Sequence, residues 1–134
     1  MTGPANDTRT LAPPAVNPET QAFWDAAAEG RLLLKHCLAC GETHYYPRSL
    51  CPFCFSDRTE WREAAGTGEI YTVSVMRRGA GAPYAVAYVT LDEGPRMLTN
   101  LRGDLDAFRI GDRVRVSFEA TDGGPTVPMF RAAG

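Results

Sequence analysis

The chain has 134 residues, 44% of them hydrophobic and 22% charged, with a formal net charge of −2. That make-up belongs to one globular domain or two small modules sharing a core, and it excludes a disordered or low-complexity chain. No apolar run reaches the roughly 20 residues a membrane-spanning helix needs, and no basic stretch leads into an apolar one at the start, so the chain is expected to be cytoplasmic.

Residues 1–16 are polar and rich in Pro, Ala and Thr, and read as a disordered arm. Asn17-Pro18-Glu19 supplies an N-cap, a proline at the first helical position and an acid in the first turn. Phe23, Trp24, Ala27 and Ala28 then fall on one helical face, and Gly30 is placed to end the helix. A helix this short needs a surface to pack on, so Phe23 and Trp24 are core or interface anchors.

Arg31–His36 carries Leu32-Leu33-Leu34 and reads as a strand entering Cys37-Leu-Ala-Cys40-Gly41; ten residues later comes Cys51-Pro-Phe-Cys54. Each two-residue spacer lets a tight turn aim two thiolates at one ion, and two facing turns complete a tetrahedron. These are all the cysteines in the chain, and in a reducing cytoplasm such pairs serve a metal. Structural zinc is the expected occupant, with rubredoxin-like iron as the competitor; paired disulfides and a thioredoxin-type redox pair fit less well. His36 and His44 are weaker ligand candidates. Lys35, His36 and Arg48 lie close enough in sequence to offset the negative charge of four thiolates, and Tyr45-Tyr46 is placed to cover the site. Trp61 lies in a strand that closes the ribbon, giving a unit over residues 17–65 of helix plus zinc ribbon.

Gly66-Thr67-Gly68 marks the boundary to a second unit, residues 66–134. Strands are expected over Glu69–Arg77, Tyr84–Leu91 (apolar on both faces, hence central), Arg96–Leu101, Arg113–Phe118 and Thr126–Arg131, with a helical turn over Asp104–Phe108. Pro128 puts the last strand at an edge or a bulge. Five strands with a long connection after the third fit a Greek-key barrel of the OB type, so the fold class is mainly β: helix, zinc ribbon, five-stranded OB barrel.

No nucleophile elbow, phosphate-binding loop or cysteine outside the knuckles is present, which argues for a binding or accessory role. An OB barrel beside a zinc ribbon raises single-stranded nucleic acid as one reading and, with iron, an electron carrier as another. Charge argues against the first: residues 66–134 carry eight arginines and eight acids, whereas phosphate neutralisation needs a basic surface. An arginine patch (Arg77, Arg78, Arg96, Arg113, Arg115) suits a smaller anion.

Phe23-Trp24, Gly30-Arg31-Leu32, the two cysteine pairs, Tyr46-Pro47-Arg48, Trp61, Gly66-x-Gly68 and Pro83-Tyr84 occur in an order that resembles a family of acyl-CoA-associated OB-fold proteins with an N-terminal rubredoxin-like zinc ribbon, long classed as a domain of unknown function. The resemblance spans roughly residues 18–131. It implies a role beside thiolase-fold enzymes: some members resemble accessory subunits of thiolases, and others are fused to or act with hotdog-fold enoyl-CoA hydratases and lipid-transfer-type aldolases of sterol side-chain breakdown. With no hotdog or thiolase segment, this chain would be the stand-alone or excised accessory unit, working with a thiolase-like or lipid-transfer-type aldolase partner in steroid or fatty acyl-CoA metabolism. The expectations are zinc on Cys37, Cys40, Cys51 and Cys54; acyl-CoA phosphates on Arg77, Arg78 and Arg96; and a partner surface of Phe23, Trp24, Tyr45 and Tyr46.

Overall fold

In the computed structural model, which describes residues 11–77 and 81–133, the first described residues lie against the barrel that the chain later forms. Leu11 is buried and its carbonyl accepts the Asp122 N–H at 2.9 Å. The arm expected over residues 1–16 is therefore tied down from Leu11 onward, and residues 1–10 lie outside the described residues.

Helix α1 spans Gln21–Ala28, a few residues later than the Asn17-Pro18-Glu19 signal implies. Asn17 does cap, but it caps a preceding turn: its Oδ1 accepts the Thr20 N–H at 3.1 Å. Thr20 takes the N-cap position, and its hydroxyl accepts the Trp24 Nε1–H at 3.2 Å. The buried face is Phe23, Ala26 and Ala27, an i, i+3, i+4 set, while Ala28 is exposed. Gly30 adopts φ 80°, the left-handed conformation that ends a helix without a Cβ clash.

Strands β1 (Leu33–Cys37), β2 (Thr43–His44) and β3 (Thr59–Glu63) form an antiparallel sheet in the order β2-β1-β3. Strands β4 (Thr67–Met76), β5 (Tyr84–Leu91), β6 (Arg96–Leu101), β7 (Arg113–Glu119) and β8 (Val127–Ala132) close a barrel in the order β4-β5-β6-β8-β7. A 3-10 turn over Leu105–Ala107 joins β6 to β7, capped by the Asp104 side chain on the Asp106 N–H. The five-stranded barrel is the expected fold class. Closure removes the edges that an open sheet would have to protect, so β5 is central as expected, though only its inward face is buried. Its outward Tyr88 sits opposite Leu98 of β6, and both are about half exposed.

One seam is loose. β6 and β8 run parallel and register only at Leu101 and Phe130, and β8 contains Pro128, which has no N–H to give a ladder. The Thr99 hydroxyl instead reaches the Pro128 carbonyl at 3.4 Å.

A single core joins the parts. Phe23 of α1, and Leu32 and Leu34 at the entry to and within β1, pack with Ile70, Val89, Met97, Leu101, Val114 and Phe130 of the barrel. The helix and the first ribbon strand are thereby anchored on the barrel by buried apolar area, the dominant favourable term in folding.

The Gly66-x-Gly68 pair has two different causes. Gly66 sits at φ 81° with Val116 close by, whereas a Cβ on Gly68 would lie 2.5 Å from the Thr90 carbonyl oxygen. That oxygen belongs to β5, which is held by strands on both sides and cannot retreat. Gly68→Ala is therefore expected to destabilise the fold by about 1–3 kcal/mol, read as a lower urea midpoint at unchanged slope. A midpoint equal to wild type would contradict this packing.

Candidate metal centre and interaction surface

Cys37 ends β1, Cys40 follows in the tight turn after it, and Cys51 and Cys54 come from the connection between β2 and β3. All four sulfurs lie within 4.8 Å of one another. Cys37 and Cys54 are 3.6 Å apart, and Cys40 and Cys51 are 3.7 Å apart. A tetrahedron with zinc–sulfur bonds of about 2.3 Å has edges of about 3.8 Å, so the donor set fits zinc. Backbone N–H groups of the knuckles point at the sulfurs, Cys40 N at 3.5 Å from Cys37 Sγ and Phe53 N at 3.4 Å from Cys51 Sγ. Four thiolates leave no open coordination position, so the site is structural.

The thiols also show why an ion belongs there. The Cys40 N–H holds the Cys37 thiol down at about 7. At Cys40 the Glu42 N–H pulls the same way but is outweighed, since desolvation and the neighbouring thiols push that group up to about 12. Four negative sulfurs do not coexist at these distances without a cation among them.

Neither histidine joins the cluster; among the described residues, the one group able to hold a metal is these four cysteines. His36 Nδ1 pairs with the Thr43 hydroxyl at 3.0 Å. His44 is buried, and burial, followed by the charges of Lys35 and Arg48, lowers its pKa and keeps it neutral. Lys35 lies 4.4 Å over the Trp61 ring and Arg48 4.8 Å over the Tyr46 ring, so these cations are spent on aromatic faces.

The sequence-predicted partner residues divide. Phe23 is a core residue, 2% exposed, and is not available to a partner. It meets Trp24 edge-on at 4.9 Å and Tyr45 at 5.8 Å. Tyr45 packs against the core and burial pushes its hydroxyl up to about 12. Trp24 is half-buried, and Tyr46 alone of the four is exposed. The predicted phosphate residues do not come together either. Arg77 follows Met76, which pairs with Tyr84, whereas Arg96 pairs with Thr90. The two therefore stand at opposite ends of β5, about 20 Å apart along the strand. Arg77 is bound to Asp106, and Arg96 stacks 4.0 Å over Tyr71. Arg78 lies outside the described residues.

Four exposed apolar side chains around the knuckles were not singled out from the sequence: Leu38, Leu50, Phe53 and Phe55. Phe55 is the most telling. In the first knuckle the residue after the second cysteine is Gly41, at φ 79°, with its N–H on the Cys37 carbonyl; in the second knuckle the same place, with the same bond to the Cys51 carbonyl, is held by Phe55 at φ 64°. The signal was in the sequence, as a phenylalanine where the paired motif has glycine.

The fold and site define a zinc ribbon followed by an OB barrel, and the comparisons agree. Residues 24–60 match the family model "ChsH2, rubredoxin-like zinc ribbon domain" and residues 61–119 match "ChsH2, C-terminal OB-fold domain". A chain of the solved "Ltp2-ChsH2(DUF35) aldolase" superposes with a TM-score of 0.80 at 36% identity, covering 90% of this chain and 99% of that one. The chain is 37% identical over 125 residues to the "Probable enoyl-CoA hydratase alpha subunit" of Thermomonospora curvata, covering 90% of this chain but only 39% of that protein. It is 30% identical over 99 residues to the "Benzoylsuccinyl-CoA thiolase subunit BbsA" of Thauera aromatica, covering 69% of each. The chain belongs to the ChsH2/DUF35 family of zinc-ribbon OB-fold proteins. No helix among the described residues is long and apolar enough to cross a membrane.

Proposed function

We propose that this protein is a cytoplasmic, non-catalytic accessory subunit that docks on a thiolase-fold enzyme of steroid or fatty acyl-CoA metabolism, an aldolase or a thiolase, and helps hold its acyl-CoA. The observation that carries this reading is Phe55. A phenylalanine in the left-handed region costs about 1–2 kcal/mol relative to ordinary backbone, and at 75% exposed it gains almost nothing from the fold in return. Phe53, Leu38 and Leu50, between 49% and 60% exposed, belong to the same zinc-built knuckles. Exposed aromatic anchors on a rigid frame are what a hot spot for a partner requires. The relatives named as a thiolase subunit and an aldolase complex supply the class of partner.

Support for the acyl-CoA part comes from the loose β6–β8 seam. There a cleft of about 610 Å³ opens, lined by Leu11, Pro14, Val86, Leu98, Val127 and Met129, with Thr99 and Asn100 as polar points. An apolar cleft of that size with a few hydrogen-bonding groups suits a narrow chain carrying amides, such as the pantetheine arm of an acyl-CoA.

The test of docking is co-expression with the thiolase-like enzyme of the same host, followed by size-exclusion chromatography. A single peak containing both chains at fixed stoichiometry is expected. Separate elution at micromolar concentration would remove the reading.

A further inference from the structure

The outer face of β4, β5 and β6 carries aromatic side chains that the core does not use. Tyr71 and Tyr88 are about half exposed, as is Leu98. Ala87 and Val89, on either side of Tyr88, are buried, so Tyr88 points away from the barrel interior. Tyr71 is the extra residue of a β-bulge: Ile70 pairs with Val89 and Thr72 with Tyr88, which leaves Tyr71 without a register partner. Bulges re-aim side chains and are frequent beside functional sites.

Tyr71 meets Arg96, whose guanidinium carbon lies 4.0 Å from the ring centre. Strand β5 lies between their strands, a separation of roughly 10 Å, so the two side chains reach each other across its outer face. Arg96 pairs with Thr90 of β5, and Tyr88 lies two residues away on that same face. The register therefore sets Tyr88 in the row next to the Tyr71–Arg96 pair. Arg96 has no carboxylate partner among the described residues. Glu69, in its row across Thr90, is paired in register with Arg113 on the other side. Glu93, which lines a hollow with Arg96, accepts the Ala65 N–H at 2.8 Å. A guanidinium stacked on a ring keeps its N–H donors in its own plane, where they suit phosphate oxygens. A half-exposed tyrosine beside it offers a face to a base.

We infer that Tyr71, Tyr88 and Arg96 form a nucleotide site on the outer face of β4, β5 and β6. Tyr88 takes the base by stacking, and Arg96, held in place by Tyr71, takes a phosphate. The site itself does not depend on the partner; only its assignment to the nucleotide end of an acyl-CoA rests on the acyl-CoA reading above. Continuity supports that assignment. Leu98 pairs with Tyr88 and also lines the cleft at the β6–β8 seam, as do Thr99 and Asn100. A chain leaving a phosphate at Arg96 passes over Leu98 and reaches Asn100 within about 13 Å along β6.

The test uses this chain alone. The ring signals of Tyr71 and Tyr88 and the Arg96 Nε–Hε signal are followed by NMR during titration with adenosine 3′,5′-bisphosphate, with coenzyme A, and with chloride at matched ionic strength. Saturable shifts with the bisphosphate and not with chloride are expected. Tyr88→Ala should weaken binding about tenfold, the effect of one base stack, while Tyr88→Phe keeps it. Arg96→Gln should weaken it about tenfold, the effect of one charge-assisted hydrogen bond, and leave the weaker binding of plain adenosine unchanged. Both side chains face outward, so the amide signals of Val89 and Met97 should stay as in wild type. Arg58→Gln, in the ribbon, should leave binding unchanged. Tighter binding of coenzyme A, with shifts extending to Leu98, supports the acyl-CoA source; equal binding supports the site with a free nucleotide as its ligand. Absent saturation, an equal response to chloride, or wild-type affinity in either Tyr88→Ala or Arg96→Gln would overturn the site. None of these outcomes bears on whether the partner enzyme co-elutes.

Discussion

Removing the metal is expected to unfold residues 37–61 while leaving the barrel standing. Structural zinc contributes apparent binding free energies of about 10–16 kcal/mol in small zinc-finger peptides, and the knuckles have little else to hold them. Leu38, Leu50, Phe53 and Phe55 face outward, and the ribbon's contribution to the shared core is largely Leu32 and Leu34, with Tyr45 and Trp61 packed against it. Cys40→Ser or Cys54→Ser, or a strong chelator, should therefore release one zinc per chain. Amide protection should be lost between residues 37 and 61, while protection persists at Ile70, Val89 and Val114. Stoichiometric iron in the purified protein, or a metal-free protein with the ribbon fully protected, would contradict the assignment. Colour separates the two metals at once, since oxidised iron–thiolate absorbs visible light and zinc–thiolate does not.

The second large effect is a variant that folds better and binds worse. Phe55→Gly restores to the second knuckle the residue found at the same place in the first, Gly41. Relief of the left-handed strain should stabilise the ribbon by about 1 kcal/mol, after the greater unfolded-state freedom of glycine is subtracted. The same change should cost about 2 kcal/mol or more of partner affinity, roughly thirtyfold, if Phe55 is a docking anchor. Thermal unfolding and a titration with the partner measure the two signs separately. Raised stability with unchanged affinity would move the interface away from the knuckles.

The zinc ligands were legible in the sequence because their information is local: a two-residue spacer and a turn decide where each pair of sulfurs points. Strand β5 was legible for a related reason, since Tyr84–Leu91 is bounded by turn residues at both ends, and it appears with the expected limits. What the sequence hid depends on distant chain. Phe23 looks the same as a core residue or an interface anchor, and only the barrel packed beneath α1 decides that it is core. Arg77 and Arg96 looked like one patch because strand ends and loops of an OB barrel commonly line its ligand face, yet β5 lies between their strands and its length and register place them at opposite ends. Tyr71 and Arg96 are 25 positions apart in the chain and meet only because β5 pairs with both their strands in that register. Leu11 read as part of a mobile arm because nothing nearby in sequence explains why it should be buried.

The central claim, that the chain serves a thiolase-fold enzyme and does not itself turn over substrate, is tested most directly by assaying retro-aldol or thiolytic turnover of an acyl-CoA. The partner enzyme is measured alone, this chain alone, and the two together. The account predicts turnover that depends on the complex, no turnover by this chain alone, and a deficit with Phe55→Gly that excess protein restores. Full activity of the enzyme without this chain, or turnover by this chain on its own, would contradict it.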